Sequence, residues 1–384
     1  MWIIVALILS LLNGVLGLRA IFIERKVHRP IGKIAILTGL SIGTVFLITA
    51  TINNVLNFAA PEKKIISLDK KLGQINDYLD GLPQTKDIDL KRLFEKGYSL
   101  YEDGKYSEAA DTFKACLELK TEDRQREALI ILMGNSLASL GKLNEAENHY
   151  QEALLIAKRI DDKQGQAQVL VSIGLIYKTR GDLDHALNYF LQGLEITEEM
   201  GDRQGEGVTL NNIGEIYKTW GKYDKAIEYY KKSLKIEEKI GDEHGMAQTF
   251  GNLGNVYQLK GEWDKAIVFY EKSLKITEEI GDRKQEGVTL NNIGEIYRAW
   301  GKYDQAIEYY QRSLKIFEDS GDRKNEGVTL NNIGLVYHAW GKYDRAIEYM
   351  SRSLSIFEEI GAAVEAKTVR ENLKRIQEEK KIQK

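Results

Sequence analysis

The residues that could carry chemistry are few in this sequence and badly placed for it. His28, His149, His185, His244 and His338 are scattered, with no pair at the spacing of metal ligands. The lone cysteine, Cys116, excludes an intrachain disulfide and any Cys-x-x-Cys motif. No glycine-rich phosphate loop follows a strand, and no segment reads convincingly as a strand. Carboxylate pairs such as Glu237-Glu238 and Glu278-Glu279 fall in charged helix ends, where a solvated face is expected rather than a general acid and base. The residues thus point to no enzyme, no metal and no cofactor. A net charge of −3 offers no basic face for nucleic acid. What recurs is the side-chain amide, in Asn211-Asn212, Asn291-Asn292 and Asn331-Asn332. A primary amide donates and accepts at once, so a row of them suits the backbone of an extended peptide.

These amides sit in a phrase that the chain repeats. The stretch from Gly205 to Asp242 returns in close copies from Glu286 and Glu326, and in looser ones from Met246 and Gln166, in a register of 40 residues. Such self-similarity signals a stacked array. Within one copy, Val208, Ile213, Ile216, Tyr217 and Trp220 mark a first helix that Gly221 stops. Ala226, Ile227, Tyr230, Leu234 and Ile236 then mark a second, with a broad apolar stripe. Alignment on the mid-unit glycine gives Gly104, Gly141, Gly181, Gly221, Gly261, Gly301 and Gly341, hence seven helix pairs, the first spacing 37 residues and the rest 40.

Three columns sharpen the expectation. Ser107, Asn144, Asp184, Asp224, Asp264, Asp304 and Asp344 follow the turn glycine by three places and are expected to cap the second helix, each contributing about 1 kcal/mol. A glycine lies seven places before each turn glycine, as at Gly214, where a helix interior disfavours it by roughly 1 kcal/mol against alanine. Its expected partner is the small residue of the second helix, Ala226 in the same unit. Gly201-Asp202, Gly241-Asp242, Gly281-Asp282 and Gly321-Asp322 read as a left-handed C-terminal cap followed by an N-cap. Cys116 falls at a second-helix position held elsewhere by Ala153, Gly193 or Ser233, and reads as a small buried residue.

With Gly214, Tyr217, Gly221, Tyr223, Ala226, Tyr230 and Leu234 in place, the unit resembles the tetratricopeptide repeat (TPR) over about residues 90 to 360. The closing proline of many such repeats is missing, so the second helix is expected to run on. The 40-residue period and the Thr-Leu-Asn-Asn wording resemble the TPRs of kinesin light chains and of Pins-type spindle adaptors. The resemblance implies an all-α, right-handed superhelix (α-solenoid) whose first helices line a concave groove. Carried over residue by residue, it implies groove positions at Lys178; Asn211, Glu215 and Lys218; Asn255 and Gln258; Asn291, Glu295 and Arg298; and Asn331 and His338. Val171, Leu175, Gly251 and Leu335 occupy the same columns. On this reading the asparagines hold a peptide backbone and the charged neighbours select among peptides. The alternative is that Asn211 and Asn291 are duplicated residues facing solvent. Asn212, Asn252, Asn292 and Asn332 are candidates to cross-link neighbouring repeats, and Trp220, Trp300 and Trp340 read as core packing at the turn rather than a ligand cage.

Residues 1–60 differ from the rest. The apolar runs Trp2 to Leu18 and Ile34 to Ile52 suggest a transmembrane hairpin with spans of about 2–23 and 34–58, the second run being about 28 Å as a helix against a bilayer core of about 30 Å. A cleaved signal peptide is the competing reading of the first run, which lacks a charged n-region and a small-residue cleavage site. Arg19, Arg25, Lys26, Arg29 and Lys33 in the connecting loop lean toward a cytoplasmic loop with the array on the other side, without fixing the side. Residues 61–84 form an amphipathic or heptad linker, with Ile65, Leu68, Leu72, Ile75, Leu79 and Leu82 on its seam. The repeats then occupy 85–361 and a charged capping helix 362–384.

The expectation is a membrane-anchored interaction scaffold that binds a protein, a peptide or a partner's helix in the groove, touches the lipid bilayer through the hairpin, and forms at most a weak homodimer through the heptad seam. Two alternatives remain: a peptide-responsive regulatory sensor, and an assembly or transport factor of an envelope membrane complex.

Overall fold

The computed structural model describes residues 88–119 and 121–382. They form fifteen α-helices, with no strand among the described residues. Seven pairs follow one another: α1 Ile88–Glu102 with α2 Tyr106–Glu118, α3 Asp123–Ser139 with α4 Leu143–Arg159, α5 Lys163–Thr179 with α6 Leu183–Met200, and α7 Arg203–Thr219 with α8 Tyr223–Ile240. The series continues with α9 Glu243–Leu259 and α10 Trp263–Ile280, α11 Arg283–Ala299 and α12 Tyr303–Ser320, α13 Arg323–Ala339 and α14 Tyr343–Glu359, and ends with α15 Ala363–Ile382. The two helices of a pair pack on each other, each second helix packs on the first helix of the next pair, and successive first helices from α3 to α13 also touch. The first helices therefore line the inner side of the stack.

The turn between paired helices is built by glycine. Gly221 has φ +68°, its N–H reaches the Lys218 carbonyl at 2.9 Å, and the Lys222 N–H reaches the Tyr217 carbonyl at 2.9 Å. Both bonds satisfy carbonyls that the end of α7 leaves open. Between units, Gly241 closes α8 in the left-handed region, and the Asp242 side chain accepts the Gly245 N–H at 3.0 Å to start α9. No proline interrupts, and α6, α8, α10 and α12 each run 18 residues.

Two expectations about these helices are corrected. Asp224 is not an N-cap. Helix α8 begins at Tyr223, its N-cap position is Lys222 without a side-chain bond, and Asp224 lies in the first turn. A carboxylate there still suits the positive end of the helix, and it accepts Lys260 of the next unit at 2.7 Å. The partner of Gly214, likewise, is Tyr230 rather than Ala226. A Cβ added at Gly214 would lie 2.7 Å from Cε1 of that ring, and the same crossing joins Gly174 to Phe190 and Gly294 to Tyr310. A fully buried ring seated on bare helix backbone offsets the unfavourable glycine.

Cys116 is fully buried, and burial pushes its thiol up to about 11, which makes it inert packing. At the far end α15 lays Ala366, Val369, Leu373 and Ile376 into the last core cluster, while Lys374 stands exposed in place of the core glycine. The expected membrane location is also corrected: no helix among the described residues is long and apolar enough to cross a membrane. The hairpin of 1–60, with the lipid contact it implied, and the 61–84 linker lie outside the described residues.

Candidate peptide-binding groove

The groove columns lie on α5, α7, α9, α11 and α13, and their side chains are engaged with one another. Asn211 on α7 is 8% exposed; its Nδ2 donates to Thr249 Oγ1 of α9 at 2.6 Å, and its Oδ1 accepts Nδ2 of Asn252 at 2.9 Å. One pair further on, Asn291 Nδ2 donates to Thr329 Oγ1 at 2.7 Å and accepts from Asn332 at 3.5 Å. The asparagines are therefore rungs between units, and Asn211 does not face solvent. At Asn331 the pattern breaks. The column that supplied Thr249 and Thr329 holds Val369, and the buried Oδ1 of Asn331 has no partner.

Behind Asn211 the network continues inward. Thr249 donates to Glu237 Oε1 at 2.9 Å and Ser233 to the same oxygen at 2.7 Å. Glu237 is buried, and desolvation pushes its carboxyl above the usual range against those two bonds. The two hydroxyls satisfy Oε1 where α8 meets α9, while the buried Oε2 has no partner.

The charged columns form a second set of links. Glu215 lies 3.6 Å from Lys178 of the preceding unit and also bonds Lys218 on its own helix. Lys178 additionally donates to Asn212 at 3.3 Å. Burial pushes the Glu215 carboxyl up, but the two lysines outweigh it and hold it below the ordinary range. Glu295 repeats the arrangement: Arg298 Nε donates to it at 3.0 Å and the Tyr310 hydroxyl at 3.0 Å, again leaving the carboxyl lowered despite burial. Because Glu215 turns to its lysines, the buried Tyr230 hydroxyl is left without the partner that Tyr310 has. In the pair between them, the Tyr270 hydroxyl lies 2.7 Å from both Asn255 Oδ1 and Gln258 Oε1. Asn255 also accepts from Asn292 at 3.4 Å. His338 closes the row against Glu379 of α15 at 2.6 Å.

The predicted residues thus fall into a succession of separate polar clusters that form a belt along the inner side of the stack, with the Asn331 side-chain oxygen outside them. Mixed charges and amides alternate along it, and the charged members keep part of their surface open to solvent. Trp220 meets Tyr217 edge-on at 5.5 Å and packs against a core cluster, with Lys222 over its ring at 4.5 Å. These tryptophans are packing residues.

Two features were not legible as site residues. One is a cavity of about 390 Å³ between α3 and α5, toward the first units. The other is Glu127 on α3, 2% exposed, with neither carboxyl oxygen hydrogen-bonded. The signal for the second was present: a glutamate stands in a column held elsewhere by Ala167, Gly207 and Ala247.

The comparisons with known proteins agree with this architecture. Tetratricopeptide-repeat profiles match residues 125–199, 245–319 and 286–359, and a further one matches 208–239. No curated protein sequence matches the chain. Among solved structures, the signal transduction ATPase with a tetratricopeptide repeat sensor from Pyrococcus horikoshii superposes with a TM-score of 0.61 at 18% identity, over 91% of this chain and 54% of its own. A Rap protein complexed with competence and sporulation factor gives a TM-score of 0.57 at 16% identity, over 87% and 99% of the two chains. Aspartyl phosphate phosphatase F from Bacillus subtilis gives 0.57 at 17%, over 76% and 73%. At such identities these three share the fold. With the profile matches falling on the same helix pairs that carry the turn glycines, the ring crossings and the inter-unit rungs, the chain belongs to the tetratricopeptide repeat family.

Proposed function

We propose that the chain is a protein-interaction scaffold whose inner groove holds an extended peptide or a partner's helix. The observation that carries this reading is the polar belt. Lys178, Glu215, Lys218, Glu295 and Arg298 are held in fixed positions by mutual pairing, yet part of each stays accessible on the lining side. Pre-positioned polar groups are what a groove needs in order to select a partner without ordering its own side chains first. The structural neighbour crystallised with competence and sporulation factor supports a bound occupant for this fold class. The asparagines act through the wall: Asn211 and Asn291 hold successive first helices in register, and Asn255, Gln258, Asn331 and His338 complete that wall.

The test is cross-linking of the full chain to its partners, with the cross-linked residues mapped by mass spectrometry. Partner cross-links on α5, α7, α9 and α11 are expected, and the triple variant Lys178→Ala, Lys218→Ala, Arg298→Ala should lose them while keeping its helical circular dichroism. Cross-links confined to the second helices, and unchanged in the variant, would overturn the reading.

The sensor alternative has one observation in its favour: the rungs join every unit from α7 to α13, so an occupant that shifts one first helix acts on its neighbours. An occupant-dependent change in small-angle scattering separates it from a static scaffold.

A further inference from the structure

The cavity of about 390 Å³ falls within the roughly 300–1,000 Å³ of small-ligand sites. It lies on the groove side, where α3 and α5 face each other across the first units. Its existence traces to two small residues. Ala138 stands where later units carry Lys178, Lys218 and Arg298, and Ser172 stands where they carry Asn212, Asn252 and Asn292. The long side chains that fill this space further along the stack are absent here.

The lining fixes the chemistry of an occupant. None of the residues around the cavity is charged. Leu143, Leu175 and Ile176 supply apolar wall, and Leu175 is 38% exposed, an apolar surface turned outward. Three of the hydroxyls have committed their hydrogens. Ser139 donates to the Asn135 carbonyl at 3.0 Å, Ser172 to that of Gln168 at 3.0 Å, and Thr179 to that of Leu175 at 2.8 Å. A carbonyl can only accept, so these three hydroxyls turn lone pairs to the space beside them, while the Asn135 amide, whose oxygen takes the Tyr150 hydroxyl at 2.7 Å, keeps its nitrogen as a lining donor. An occupant with an apolar body and a hydrogen-bond donor suits the leucine and isoleucine wall and the three hydroxyl lone pairs. An ammonium would be desolvated with no carboxylate to receive it, and a carboxylate with no cation.

We propose that this cavity binds an uncharged aromatic ring bearing one N–H or O–H donor, an indole or a phenol, either free or carried on a peptide lying in the groove. The peptide-borne case rests on the groove reading above; the free-ring case does not.

The experiment is a titration of the full chain, methyl-labelled for nuclear magnetic resonance, with indole, with N-acetyl-tryptophanamide and with N-acetyl-phenylalaninamide. Saturable shifts are expected at the methyls of Ala138, Leu143, Leu175, Ile176 and Thr179. The phenylalanine amide, which has the ring without the donor, should bind about fivefold more weakly than the tryptophan amide. The double variant Ala138→Lys, Ser172→Asn should lose tenfold or more in affinity. It uses residues that this chain already tolerates in the same columns, and an unchanged thermal midpoint shows that it folds. Equal affinity for indole and N-acetyl-tryptophanamide assigns the site to a free ring; tighter binding of the amide assigns it to a peptide side chain. Absence of shifts at these methyls, equal affinity for the phenylalanine amide, or full binding by the double variant overturns the proposal. Cross-links along α5 to α11 that persist despite such a result would leave the groove standing without its cavity.

Discussion

At the scale of the residue, Glu127 shows how one departure from a repeating column changes behaviour. Its carboxyl is buried without a hydrogen bond, against Gly165, which has no side chain to compete for the space. Burial pushes the group up to about 7, the neighbouring Asp162 adds to the rise, and Arg124 offsets part of it. The folded chain therefore keeps a proton that the unfolded chain releases near the ordinary 4.5. Stability from this site is full below about pH 4.5, falls as pH rises toward about 7, and is flat above that, a loss of about 3 kcal/mol. Urea midpoints measured across this range should decline in the native chain. The variant Glu127→Gln should lack the decline and exceed the native chain at pH 8 by about 1–2 kcal/mol. A parallel decline in both would assign the pH dependence elsewhere.

At the scale of the element, the helix pairs, their turns and the inter-unit caps were readable because each follows from local chemistry. Gly221 permits a positive φ, and Asp242 accepts an N–H three residues on. What failed to read was any contact set by how two helices cross. The Ala226 column is constant and the Tyr230 column is aromatic in every unit but the last, and periodicity alone does not say which one faces Gly214. The ring does, so Gly214→Ala should destabilise the α7–α8 crossing by about 1–3 kcal/mol, outweighing the ~1 kcal/mol that alanine adds to helix propensity. The cost at Gly334→Ala should be smaller, because the partner there is the flexible Met350. Thermal midpoints of the two variants test the order. Links from Asn252, Asn292 and Asn332 to neighbouring repeats were expected, but the part that Asn211 and Asn291 take in them was not, for a similar reason. Their bonds span 38 and 41 residues, separations fixed by the offset between stacked units and invisible in a 40-residue period. Thr329→Val removes the acceptor from Asn291 Nδ2 at nearly constant volume and should cost about 1–2 kcal/mol. An unaltered midpoint would mean that the rung contributes nothing to the α11–α13 junction.

At the scale of the whole molecule, each unit touches its sequence neighbours, so stability propagates along one dimension and ends where an interface is left bare. Helix α15 covers the last such interface among the described residues. It buries Val369, Leu373 and Ile376 against a cluster that includes Met350, Ile356 and Phe357, and its Glu379 closes the groove row at His338. It has no second helix among the described residues, and charged side chains dominate the rest of its surface. Removing 362–384 exposes that cluster without touching the units near the cavity. Native-state hydrogen exchange should then show protection falling first and most in α14 and α13, less in α12 and α11, and not at all in α5 to α8. The gradient follows because the inter-unit rungs and packing act between adjacent pairs, and each interface crossed attenuates the loss. A uniform drop in protection along the chain would show instead that the described helices unfold as one cooperative block, and that the free energy of the stack resides in its length rather than in successive junctions.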